Sequence, residues 1–172
     1  MDSVFGAIAA AAIGLLFAVS CVHKLRHLRD FTASVRDYRL LWPGLHRPVA
    51  WALLLTEAAV VITLVQPGTR PAGALLAIFL LLLYAAGIGI NLARGRTAID
   101  CGCSWGARHQ VIKRSHVFRN MCLAVVSGVI LIPANGRVFL WMDWVSVIGG
   151  TLILVLVYWT LDTLSSFQVG VK

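Results

Sequence analysis

Five stretches of this sequence are long and apolar enough to cross a lipid bilayer, which leaves few folds open. They run over residues 4–22, 49–65, 72–93, 117–134 and 139–161. A crossing helix needs about 20 predominantly apolar residues for a hydrocarbon core of about 30 Å. Within that core each backbone N–H and C=O has to be satisfied inside the segment, so isolated runs of this length form helices. The breaks agree. Pro43-Gly44 and Pro48 precede the second run, Gln66-Pro67-Gly68 follows it, and Pro133-Ala134-Asn135-Gly136 closes the fourth. The expected fold class is therefore all-α: a polytopic membrane helical bundle of about five transmembrane helices, forming a single integral membrane domain over residues 1–172. Met1-Asp2-Ser3 lacks the positive n-region of a signal peptide, so the first run is read as a retained helix.

Composition excludes a water-soluble core, with 59% of residues apolar, 13% charged and a mean hydropathy of +0.85. The net charge of +8 has no soluble surface on which to form a nucleic-acid groove, so anionic lipid headgroups are its expected counter-charge. The basic residues fall mainly into two long loops. Lys24, Arg26, Arg29, Arg36, Arg39 and Arg47 lie between the first and second runs, and Arg94, Arg96, Arg108, Lys113, Arg114 and Arg119 between or beside the third and fourth. With five crossings these loops share a face with the carboxy terminus, and charge counting makes that face cytoplasmic. Cys21, Cys101, Cys103 and Cys122 are all expected near that same interface. Gly6, Ala10, Gly14 and Ala18 recur every four residues on the first helix and read as a close-packing stripe, with Gly87 and Gly149-Gly150 as further small contacts.

Two features stand out chemically. Glu57 falls near the middle of the second run, where an unpaired charge costs at least ~2.5–3.5 kcal/mol, so it should face the bundle interior. It reads either as a structural hydrogen-bonded carboxyl, with Asn91 or Asn120 as partner, or as a proton acceptor or ligand residue. The other feature is Asp100-Cys101-Gly102-Cys103 in the loop 94–116. Two cysteines one residue apart can close a small, strained and therefore easily reduced disulfide, and Gly102 relieves crowding in the turn. Arg94, Arg96 and Arg108 would favour the reactive thiolate. A metal site would have to recruit His109 and His116 from an unpatterned loop, and inert reduced thiols are the remaining alternative. No metal is expected.

The segment from Gly89 through Asn91, Arg94-Gly95-Arg96 and Asp100-Cys101-Gly102-Cys103-Ser104, followed by Arg119-Asn120, resembles the signature of the MauE family of methylamine utilisation proteins, within the wider MauE/DoxX group of redox-associated membrane proteins. Lys24-Leu25-Arg26, Asp37-Tyr38-Arg39-Leu40-Leu41 and Glu57 extend the likeness to nearly the whole chain, while Trp105 stands where the family often has Phe. The resemblance implies a bacterial inner-membrane protein that helps mature the disulfide-rich small subunit of methylamine dehydrogenase, the subunit carrying tryptophan tryptophylquinone. It also implies a membrane-anchored thioredoxin-like partner, MauD.

The leading expectation is a membrane thiol-disulfide oxidoreductase acting through Cys101 and Cys103, with Cys21 or Cys122 as relay thiols and Glu57, Asn91, Arg119 and Asn120 as proton-handling or structural polar residues. No cofactor is evident in the sequence, and a quinone acceptor enters by analogy only. A non-catalytic assembly or anchoring factor for the same partner is the alternative, and a small-solute transporter stands behind both. Charge counting places the cysteine loop in the cytoplasm whereas a periplasmic maturation partner needs it outside, so the face stays open.

Overall fold

The computed structural model describes residues 3–96, 112–133 and 140–167, without the side chains of residues 162 and 164–167. The described residues form helices and no strands: α1 (Ser3–Arg26), α2 (Leu28–Asp37), α3 (His46–Val65), α4 (Arg70–Ala93), α5 (Arg114–Val129) and α6 (Trp141–Phe167), with a single 3₁₀ turn at Pro67–Thr69. Four segments are long and apolar enough to cross a membrane: α1, α3, Pro67–Ala93 and Trp141–Leu161. The remaining expected crossing, the fourth run at 117–134, corresponds to α5, whose 16 residues reach only about 24 Å at 1.5 Å per residue.

Helix directions follow from which residues meet. On α1 and α3, Lys24 meets Glu57 while Gly14 faces Leu64, so the two helices are antiparallel. Tyr84 of α4 also meets Glu57 while Gly73 lies against Thr63 and Leu64, which makes α4 antiparallel to α3. The start of α5 packs on the end of α4, through Ile112 and Val117 against Ile88 and Leu92, and its later residues Ala124 and Ile130 join Ala77 and Leu81. α6 runs with α1: Gly150 abuts Ile8, and Tyr158 lies beside Phe17 and Ser20. Five alternating passes account for this parallel pair, so α5 traverses the bundle although it is short.

Hydropathy misplaces several helix ends for identifiable reasons. α1 continues four residues beyond the expected 22 because Lys24 faces inward, not toward water. α3 starts at His46 because Pro48 sits in the first turn, where its missing N–H is not needed. α5 begins at Arg114 with polar residues that a hydropathy window rejects, and it ends at Val129, short of Pro133. The loop after α1 is partly helical. In α2, Leu28, Phe31 and Val35 share one face while Arg29, Asp30 and Arg36 take the other, an amphipathic pattern suited to an interface.

The turn between α3 and α4 shows how backbone polar groups are satisfied at a membrane edge. Thr69 Oγ1 donates to the Thr63 carbonyl at 2.8 Å, and the Arg70 guanidinium donates to the Leu64 carbonyl at 3.3 Å. Both carbonyls belong to the last turn of α3, where no helical N–H reaches them. Within the helices, Thr63 and Ser127 hydroxyls donate to the carbonyls four residues earlier. Leu55, Ile62, Phe79, Ile148, Leu152 and Leu156 point outward, as expected where the surrounding solvent is hydrocarbon.

The close helix contacts differ from the expected stripe. Ala10 is buried and a Cβ on Gly14 would lie 3.9 Å from Leu64, but a Cβ on Gly6 would meet nothing within 4 Å. The tightest approach is at Gly73, where a Cβ would lie 2.6 Å from Thr63 Oγ1 and 3.0 Å from Leu64. Gly73→Val should therefore force α3 and α4 apart at a cost of about 1–3 kcal/mol. Gly6→Ala should change stability by no more than about 0.5 kcal/mol. Thermal melting of both variants in one detergent checks this; equal melting temperatures would show that the contact at Gly73 is not close.

Candidate functional site

At one level of the bundle interior α1, α3 and α4 each contribute a polar side chain, and these three meet. On α1 the residues Ala10, Ile13, Phe17, Cys21 and Lys24 follow three- and four-residue spacing, so they form one inward stripe. The same spacing on α3 brings Leu54, Glu57 and Val60 inward. Lys24 and Glu57 are each 1% exposed, and the Lys24 ammonium donates to Glu57 Oε1. Tyr84 OH donates to the same oxygen at 2.6 Å and lies 3.3 Å from Lys24 Nζ. Aromatic faces complete the ammonium's surroundings, with the Phe31 ring centroid at 4.9 Å and that of Tyr84 at 4.7 Å. Either charge alone would be costly to bury here, so the two are most stable as a pair.

The sequence pairing of Glu57 with Asn91 or Asn120 gives way to this triad. Neither asparagine bonds to Glu57. Asn91 is fully buried and donates within its own helix, to the Gly87 carbonyl at 3.1 Å. Asn120 is buried on α5 near Arg119, whose guanidinium lies 5.4 Å from the Tyr158 ring centroid. Glu57, Tyr84, Arg119, Asn120 and Tyr158 line one cavity of about 50 Å³, so three of the four polar residues singled out from the sequence converge there, and Asn91 does not. Lys24 and Tyr84 were missed. Lys24 stands at the end of an apolar run and counts as a loop cation, although its spacing of seven from Phe17 and three from Cys21 puts it on the buried stripe. Tyr84 carries no comparable signal.

The thiols separate. Cys21 is buried one turn before Lys24, close enough for both charges of the pair to act on it. Cys122 is exposed and, with His116, Phe118, Leu154 and Tyr158, lines a cleft of about 400 Å³ between α5 and α6. Both cysteines are free thiols. Cys101 and Cys103 lie outside the described residues, as do Asp100 and His109. The ends of their loop are held firmly. Gly95, at φ +69°, ends α4, with the Arg96 N–H donating to the Asn91 carbonyl at 3.0 Å and the Gly95 N–H to that of Leu92 at 3.0 Å. At the other end the Lys113 N–H donates to His116 Nδ1 at 3.1 Å at the start of α5. Ile112, 1% exposed, packs with Ile88, Leu92 and Tyr38, so the chain leaves and rejoins the bundle at one place.

With this geometry in place, comparison with known proteins is informative. The family described as methylamine utilisation protein MauE matches residues 2–133, which takes in α1 to α5 and stops before α6. The methylamine utilization protein MauE of Paracoccus denitrificans is 39% identical over 115 residues, covering 67% of this chain and 62% of the relative. That of Methylorubrum extorquens is 39% identical over 113 residues, covering 66% of this chain and 61% of the relative. That of Methylophilus methylotrophus is 34% identical over 127 residues, covering 73% and 67%. The chain thus spans less than two thirds of the length of the first two relatives. No solved structure matches it.

Removing one member of a buried ion pair leaves the other uncompensated, at a cost of about 3–5 kcal/mol, whereas replacing both by apolar groups is often near neutral. Lys24→Met and Glu57→Leu should each destabilise by that order, and Lys24→Met/Glu57→Leu should regain most of the loss. Denaturation of the four proteins in detergent measures the coupling; additive losses would mean that the two charges do not depend on each other.

Proposed function

The chain belongs to the MauE family of methylamine utilisation proteins, and on that premise we propose that it is a thiol-disulfide redox component of the bacterial inner membrane, assisting maturation of the disulfide-rich small subunit of methylamine dehydrogenase. Cys101 and Cys103 form the exchanging pair, and a MauD-like, membrane-anchored thioredoxin-like protein is the partner. The observation that carries this reading is a Cys-Gly-Cys sequence in a loop whose two ends are pinned side by side on a rigid helical platform. Such a mounting presents a reactive pair to a soluble domain while the bundle stays in the bilayer.

The exchange follows ordinary thiol chemistry. A thiolate attacks one sulfur of a disulfide, a mixed disulfide joins the two proteins, and the resolving thiolate displaces the first sulfur. Two electrons and two protons pass between the Cys101/Cys103 pair and the partner's pair, one being oxidised as the other is reduced. Arg94 and Arg96 flank the entry to the loop, and their positive charge favours the thiolate. Cys21 and Cys122 are not bonded to each other, and they serve as relay thiols only if the loop reaches them.

Removing the resolving cysteine should strand the covalent intermediate. Cys101→Ser and Cys103→Ser are each expected to abolish small-subunit maturation, and one of them should accumulate a reducible adduct with the thioredoxin-like partner on non-reducing gels. Full maturation by both single variants and the double variant would discard thiol exchange and leave a non-catalytic anchor for the partner.

A further inference from the structure

Buried polar atoms without a hydrogen-bond partner among the protein atoms include Glu57 Oε2, an acceptor, and Asn120 Nδ2, a donor, on two residues that line the central cavity. Glu57 is 1% exposed and Asn120 5%, and both line the same cavity of about 50 Å³. Buried polar groups left unsatisfied are costly and uncommon. A water needs roughly 10–15 Å³ of such space and two or more polar partners, so this cavity has room for more than one. Water there would accept from Asn120 and donate to Glu57, satisfying both atoms at once. We propose that the cavity between α1, α3, α4, α5 and α6 is a hydrated proton-exchange site, in which internal water held by Asn120 delivers a proton to Glu57 Oε2 and takes it back.

The step balances simply. A hydronium in the cavity gives its proton to the carboxylate, forming the neutral acid and regenerating water, and the reverse releases it. The charged and titratable groups facing Glu57 are Lys24 and Cys21 on α1, Tyr84 on α4, Arg119 on α5 and Tyr158 on α6, while α2 contributes the Phe31 ring. Neutralising Glu57 removes the counter-charge of Lys24, which would ordinarily forbid the step. Here the ammonium keeps Tyr84 OH at 3.3 Å and two aromatic faces at 4.7 and 4.9 Å, so its charge remains solvated by the protein. The two carboxylate oxygens thereby have separate tasks: Oε1 takes the bonds from Lys24 and Tyr84, and Oε2, which has no protein partner, is left for the water.

Infrared difference spectra of the full-length protein in lipid nanodiscs, recorded on a pH step in H₂O, D₂O and H₂¹⁸O, test this. A protonated-carboxyl band should appear on acidification, shift in D₂O and be lost in Glu57→Gln. An ¹⁸O-sensitive band of weakly hydrogen-bonded water should accompany it and be lost in Asn120→Leu, which fills the cavity. Asn120→Val is close to asparagine in volume, removes the donor without adding a carboxyl and should also lose the water band, so it decides the matter if the leucine variant does not fold. No Glu57-dependent carboxyl band over the pH range in which the protein stays folded would overturn proton exchange. An unchanged water band in a folded Asn120 variant would overturn the hydrated site. The bands should persist in Cys101→Ser/Cys103→Ser, so this inference and the thiol reading fail separately.

Discussion

A charge inside a membrane bundle has to meet its opposite, and the contact between Lys24 and Glu57 is where this chain meets that constraint. Neither ion is accessible, so the pair fixes the register of α1 against α3, and Tyr84 extends the restraint to α4 through the same oxygen. Apolar packing alone specifies register weakly in lipid, because tails and side chains are equally greasy. One polar level removes that freedom. Above and below it the helices need only fit, as Leu64 fits against Gly14 and Gly73.

That restraint has a consequence at the end of the bundle that bears the thiol loop. Because α1, α3 and α4 are held together near their polar level, the end of α4 is a fixed point, and Gly95, Ile88 and Leu92 can anchor both the departing and the returning chain. α2 adds a collar there, with Phe31 reaching the Lys24 ammonium and Tyr38 packing on Ile88 and Gly87. On the proposed function, folding and redox chemistry are divided between parts of the chain. Among the described residues both cysteines are free thiols, so no disulfide ties the described helices together.

How much of this was legible in the sequence follows from what each signal measures. Apolar runs report burial in lipid, so the helical bundle and the inward position of Glu57 could be read directly. The same measure fails for Lys24, since a lysine at the end of a run looks like a loop residue until its helical spacing is considered. It finds α5 but misplaces its start, where Arg114, His116, Arg119 and Asn120 depress hydropathy although His116 and Asn120 are buried. It passes over α2, whose signal is periodicity within ten residues. The bond from Tyr84 to Glu57 was not legible at all, because Tyr84 is 27 residues away on another helix and nothing local marks it.

The proposal assigns the fold to the buried polar level and the chemistry to the loop cysteines. Its most direct test is the melting temperature of Cys101→Ala/Cys103→Ala in detergent, measured under oxidising conditions against the wild type. A disulfide closing so small a ring constrains the unfolded chain little, so the two should melt alike, within about 0.5 kcal/mol of stability. A large drop in the variant would show that the loop cysteines hold the bundle together, and the division of labour described here would be wrong.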